Sequence, residues 1–184
     1  MKNLSALVPL GAVALLTACN VLPQPQADTV RHFTLSAPAD LAPLANGTIV
    51  RPVHLAGHLR NRAMAVRVAD NEVVYLDEIR WAEPLDDAVT QLLRARLGAV
   101  AGGATVSVQI ERCELVRSAG NQVQLGASYT IVPADGGKEQ AVRGTFAAGP
   151  RAWEGKDYRQ LVGQIREAIG ELGDSIAAAL VKKS

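Results

Sequence analysis

The stretch VQLGASYTI, residues Val123 to Ile131, puts an apolar side chain on every odd number and a polar or small one between. That period of two marks a β-strand with one face in the core and one toward water. The pattern continues on either side. Upstream, Ala104, Val106, Val108 and Ile110 alternate with Thr105, Ser107, Gln109 and Glu111, and Cys113 and Leu115 then continue on odd numbers. The phase slip near Arg112 predicts a β-bulge or a change of face. Downstream, Asp135-Gly136-Gly137 predicts a turn into a further strand, EQAVRGTFAA.

Helices flank this strand group. Pro84 to Leu97 carries Leu85, Ala88, Val89, Leu92, Ala95 and Leu97 at three-to-four spacing. Pro84 suits the first helical position, Asp86 and Asp87 lie near the positive end, and Arg94 and Arg96 near the negative end. Gly98 is the expected stop. A second helix presents Leu161, Ile165, Ile169, Leu172, Ile176 and Leu180 as one stripe. Its Gly163, Gly170 and Gly173 each weaken it by ~1 kcal/mol relative to alanine, which predicts close packing against a sheet. Toward the N-terminus, Met64-Val66-Val68 and Val74-Leu76, joined by Ala69-Asp70-Asn71-Glu72, predict a hairpin. Thr48 to Leu55 predicts a strand with Pro52 at an edge or end, and Val30 to Leu35 a first strand. The expected fold is α+β, one domain over residues 30–184. Its mixed, mostly antiparallel sheet has about six strands, with two main helices.

Before residue 30 the sequence changes character. Met1-Lys2-Asn3 is a short positive segment, and Leu4 to Ala18 is a run of fifteen residues without a charge. A bilayer-spanning helix needs ~20 apolar residues, and Pro9 interrupts this run. Residues 1–18 therefore read as a secretory signal peptide. It ends in Leu16-Thr17-Ala18-Cys19, a bacterial lipobox. A thiol is the side chain nucleophilic enough to take a diacylglyceryl thioether, and cleavage frees its amine for a third acyl chain. Since each buried CH₂ contributes about 0.8 kcal/mol and one chain anchors only marginally, three chains anchor durably. Residues 19–29 read as the lipidated N-terminus and a flexible tether. Its ten residues after Cys19 include Pro23 and Pro25 and extend ~3.1 Å each, up to ~30 Å. Asn20, where an aspartate would favour inner-membrane retention, favours an outer-membrane lipoprotein facing the periplasm.

Composition narrows the function classes. From Cys19 onward the chain carries 18 basic and 18 acidic side chains, because Lys2 alone leaves with the signal peptide. No basic excess points to nucleic acid. Acylated Cys19 leaves Cys113 without an intramolecular partner, so it is expected to behave as a small buried hydrophobe. His54 and His58 have a zinc-like spacing, yet Pro52 and Gly57 disfavour a helix, the H-E-x-x-H glutamate is missing and no third ligand is evident. They read as solvated or capping residues. There is no G-x-S-x-G elbow and no phosphate-binding glycine loop. Neighbouring carboxylates on a helix, Asp86 and Asp87, point in different directions. No catalytic residue, metal site or cofactor is expected.

The densest segment is EIRWAEPLDDAV. Trp81 is one of only two tryptophans, and two readings of its surroundings stand side by side. In one, Trp81 packs where hairpin meets helix while Glu83 favours the exposed amides of the first turn. In the other, Arg80, Trp81, Glu83 and Pro84 form a protein contact surface.

RWAEPL (Arg80 to Leu85), preceded by RPVHLAGHLRNRAMAVRVADNEVVYLDEI, resembles the PqiC-like family of ABC-type transport auxiliary lipoproteins. HFTL stands at the family's early aromatic strand, and HLRNRAMAVR where it usually has YLDRPQIVTR. The resemblance implies a non-enzymatic lipoprotein of an envelope lipid-transport system. In that role it docks a periplasm-spanning MCE-domain protein, itself joined to an inner-membrane transporter, at the outer membrane that holds its acyl chains. A homo-oligomer is left open. The competing expectation is a solitary periplasmic lipid- or solute-binding lipoprotein.

Overall fold

The computed structural model describes residues 29–35, 46–134 and 141–181. In chain order the strands are β1 (Arg31–Phe33), β2 (Ile49–Val50), β3 (His54–Leu55), β4 (Ala63–Ala69) and β5 (Glu72–Trp81). Helix α1 (Leu85–Leu97) follows, then β6 (Thr105–Val116), β7 (Gln122–Val132), β8 (Val142–Ala147), β9 (Arg151–Ala152) and helix α2 (Tyr158–Val181). Among the described residues all strands belong to one nine-stranded sheet whose main path is β1-β5-β4-β6-β7-β8.

The α+β class is as expected, but the sheet has nine strands instead of about six. The main path holds six. The additional β2, β3 and β9 are two residues long, too short to show a period. The long ladders, β4–β5, β6–β7 and β7–β8, are antiparallel, whereas β1–β5, β2–β6, β3–β6 and β4–β6 are short parallel pairings.

The odd-numbered residues of β7 face the core, and the bulge in β6 falls where the phase slips. Ile110 pairs with Ala127 and Arg112 with Gly126, so Glu111 is the extra residue. Val106, Val108 and Ile110 before the bulge, and Cys113 and Leu115 after it, are thereby brought to the same buried face. Both helices pack there. Arg96 bridges them with Nε 2.7 Å from Asp174 Oδ1 and Nη2 2.6 Å from Oδ2.

The glycines of α2 do not all pack closely. A Cβ on Gly173 would come within 2.9 Å of Arg96 Cγ and 3.6 Å of Leu93 Cδ2, so the tight approach is to α1 and not to the sheet. Gly163 and Gly170 face open space in a groove of about 450 Å³ between the helices.

The strand expected over Thr48 to Leu55 is broken. β2 and β3 run parallel along one edge of β6, at Thr105–Val106 and Gln109–Ile110. Between them Val53 donates its N–H to Thr90 Oγ1 of α1 at 2.9 Å, while Pro52 has no N–H to offer. The chain then leaves the sheet as a 3₁₀ turn, Gly57–Arg60, and returns as β4, which rejoins β6 at Leu115–Val116. The hairpin β4–β5 closes at Asp70-Asn71 as expected, with Ala69 opposite Glu72. Helix α1 starts one residue later than expected, with Pro84 as its N-cap residue. It ends before Gly98, whose N–H bonds Arg94 O at 2.8 Å. The turn expected at Asp135-Gly136-Gly137, and all of residues 1–28, lie outside the described residues.

Candidate functional site

The RWAEPL joint sits where β5 leaves the sheet and α1 begins. Trp81 ends β5, and only 4% of it is exposed. Its N–H donates to Arg62 O at 2.8 Å, and Ala82 N–H donates to Phe33 O at 2.8 Å. The parallel register pairs Phe33 with Trp81 and His32 with Arg80, so the short β1 fixes the joint from one side. An indole this deep is an anchor whose worth is its buried area. Alternation along β5 sends Arg80 the other way, into solvent. There its Nε donates only to Asp77 O, at 3.0 Å.

Glu83 does not cap the helix. Its Oε1 accepts from Thr34 Oγ1 at 2.7 Å, and the N-cap residue, Pro84, makes no side-chain capping bond. Asp86 and Asp87 supply the negative charge favoured at this end. The first turn is tied elsewhere: Thr90 Oγ1 donates to Asp86 O at 2.6 Å while accepting from Val53. Beside the joint lies a depression of about 250 Å³ edged by Arg60, Arg62, Glu83 and Pro84. The four candidate residues are therefore together, but only Trp81 is core. Arg80 and Pro84 are exposed and Glu83 is half-buried.

A second polar constellation escapes sequence reasoning. Glu114 lies on the sheet face away from the helices and is fully buried. Arg67, in β4, clamps it with Nε 2.6 Å from Oε1 and Nη2 3.3 Å from Oε2. His58 was expected to be solvated or capping. The 3₁₀ turn instead carries it over the sheet, with Nε2 3.3 Å from Glu114 Oε2. At that separation Nε2 has ion-pair proximity but no aligned hydrogen bond. Tyr75 Oη donates to His58 O at 3.0 Å and pins the turn in place. Alternation did signal that Glu114 points away from the helices. Nothing in it signals that residues 56–62 fold back over that face.

The chemistry of these groups is structural. Burial, and secondarily the charge of Glu114, push the Cys113 thiol up to about 12, far from the thiolate a nucleophile needs. Among the described residues no group of three or more His, Cys, Asp or Glu side chains could hold a metal ion. His54 lies in β3, apart from the Glu114 cluster. Among the described residues, no helix is long and apolar enough to cross a membrane.

Comparison with known proteins adds to this geometry. The family model described as ABC-type transport auxiliary lipoprotein component matches residues 33–177. No curated protein sequence matches the chain. Two solved structures share the fold. One, from Xanthomonas campestris and assigned to family DUF330, is 12% identical, has a TM-score of 0.64 and covers 83% of this chain and 94% of its own. The other, an uncharacterized protein, is 15% identical, has a TM-score of 0.65 and covers 81% of this chain and 97% of its own.

Proposed function

Because the chain belongs to the ABC-type transport auxiliary lipoprotein family, we propose that it is the outer-membrane-anchored component of an envelope lipid-transport system. In this reading it is acylated at Cys19, faces the periplasm, and docks an MCE-domain partner that connects to an inner-membrane transporter. The observation that carries the reading is the family match over residues 33–177, preceded by Leu16-Thr17-Ala18-Cys19. The fold supports a positioning role. Its polar clusters are tied into structure, its buried thiol is inert, and its joint offers Arg80, Glu83 and Pro84 around a rigid tryptophan. A tether of up to ~30 Å lets the domain meet a partner at a distance from the membrane.

Separation of the two membranes on a density gradient tests placement and anchoring together. Wild-type protein is expected in the outer-membrane fraction with an acyl mass on Cys19, and Cys19→Ala in a soluble or uncleaved form. Recovery of the wild type mainly with the inner membrane, or membrane association of Cys19→Ala equal to wild type, would overturn the reading.

A further inference from the structure

Beside β1 lies a shallow depression of about 440 Å³, with Phe33 and Val162 in its wall and Arg31 and Arg159 at its edge. Arg31 lies over the Phe33 ring, 5.0 Å from guanidinium carbon to ring centroid. Among the described residues its N–H donors have no hydrogen-bond acceptor, so they can reach a ligand. Neither Arg31 nor Arg159 has a carboxylate partner among the described residues. Two described acids close by each accept from a neutral donor. Asp157 Oδ1 accepts the Arg159 N–H at 2.9 Å, and Glu83 accepts from Thr34. Among the described residues the patch thus presents two cations without a carboxylate partner, beside an aromatic and an aliphatic wall, on a chain that is near neutral as a whole.

Its place in the chain says what it faces. Arg31 begins the first described strand, one residue beyond the ten-residue tether that follows Cys19. The patch is therefore held within ~30 Å of the acyl anchor, the reach of a fully extended tether, and charges act through salt over ~8–10 Å once the domain approaches the surface. We propose that this patch docks on the anionic phospholipid headgroups of the leaflet that holds the acyl anchor, fixing the orientation of the domain. His32 and Thr34 line the same depression, and Thr34 donates to Glu83 of the RWAEPL joint, so membrane contact and partner contact lie side by side. The proposal rests on acylation at Cys19.

The test uses lipidated full-length mature protein in phosphatidylcholine nanodiscs, with and without phosphatidylglycerol, read by amide hydrogen exchange. Residues 31–34 and 159–162 are expected to exchange more slowly only in the anionic discs. About fivefold of that docking equilibrium is attributable to each arginine, and high salt should erase it. Arg31→Glu/Arg159→Glu should abolish the difference, and Arg31→Gln/Arg159→Gln should reduce it, while β6 and β7 keep their protection. Equal protection in both discs, or none in either with the acyl mass present on Cys19, overturns this proposal alone. Absence of the acyl mass overturns it together with the functional reading. Protection that arises only when an acidic protein is added overturns it in favour of a protein contact.

Discussion

Removing Arg67 should be among the most costly single changes away from the apolar core. Glu114 is fully buried and Arg67 has only 12% of its side chain exposed, so the two charges neutralise each other out of water. Two guanidinium nitrogens meet the two carboxylate oxygens, and Nη1 also donates to Asp70 O at 3.0 Å, closing the β4–β5 hairpin. Arg67→Ala would leave an uncompensated buried carboxylate with only His58 near it. The usual cost of such a break is about 3–5 kcal/mol. For a domain of this size that corresponds to roughly 6–20 °C in Tm. The pair itself is worth far less than its breakage, because both groups were desolvated to form it. Arg67→Met/Glu114→Leu should therefore lie near wild type or above it, with strong non-additivity between the two positions. Urea and thermal unfolding of the two single variants and the double variant measure this directly. An Arg67→Ala variant within ~1 kcal/mol of wild type would contradict the reasoning, since water must then reach Glu114.

Trp81→Ala should cost ~3–5 kcal/mol, the range for a large aromatic removed from a core, and lower folded yield and partner recovery together. Arg80→Ala removes an exposed side chain whose described hydrogen bond is to the Asp77 carbonyl, and should leave the melting curve unchanged while reducing partner pull-down. Undiminished pull-down would remove Arg80 from the interface. Gly163→Ala enters open space in a helix and should stabilise by ~0.5–1 kcal/mol, whereas Gly173→Ala meets Arg96 and should not. Equal effects at the two positions in thermal melts would refute the packing described. Cys113 holds its proton up to about 12 when folded against an ordinary 9.0. Its contribution is therefore complete below pH 9 and lost as pH rises toward 12. Native protein should resist thiol alkylation at pH 8 and react once unfolded, and stoichiometric native labelling would contradict its burial.

The sequence was most legible where one period ran uninterrupted. The odd-numbered face of β7, the apolar stripe of α2 and the slip near Arg112 each follow from side-chain alternation or helical spacing, and each is found. Two-residue strands such as β2, β3 and β9 carry no period, so the sheet was underestimated by the elements that tertiary pairing alone creates. Pro52 did announce the break, but the partner that takes up the neighbouring N–H is Thr90, far along the chain. The candidate joint was half legible. A large aromatic between hairpin and helix predicts burial, and Trp81 is buried. Glu83 found the hydroxyl of Thr34, just past β1, in place of the amides beside it, a contact that depends on a parallel pairing no local rule encodes. The Glu114 cluster was missed for the same reason, since the face away from the helices becomes interior only when residues 56–62 cross over it.

Crosslinking in intact cells asks whether this lipoprotein docks an MCE-domain partner at the outer membrane. The lipidated protein would then be purified from outer-membrane fractions and its attached proteins identified by mass spectrometry. An MCE-domain protein is the expected crosslinked partner, lost when Cys19 is replaced by alanine. Recovery of lipidated outer-membrane protein with no MCE-domain protein attached, but with a lipid held by the chain itself, would contradict it and favour a solitary binding lipoprotein.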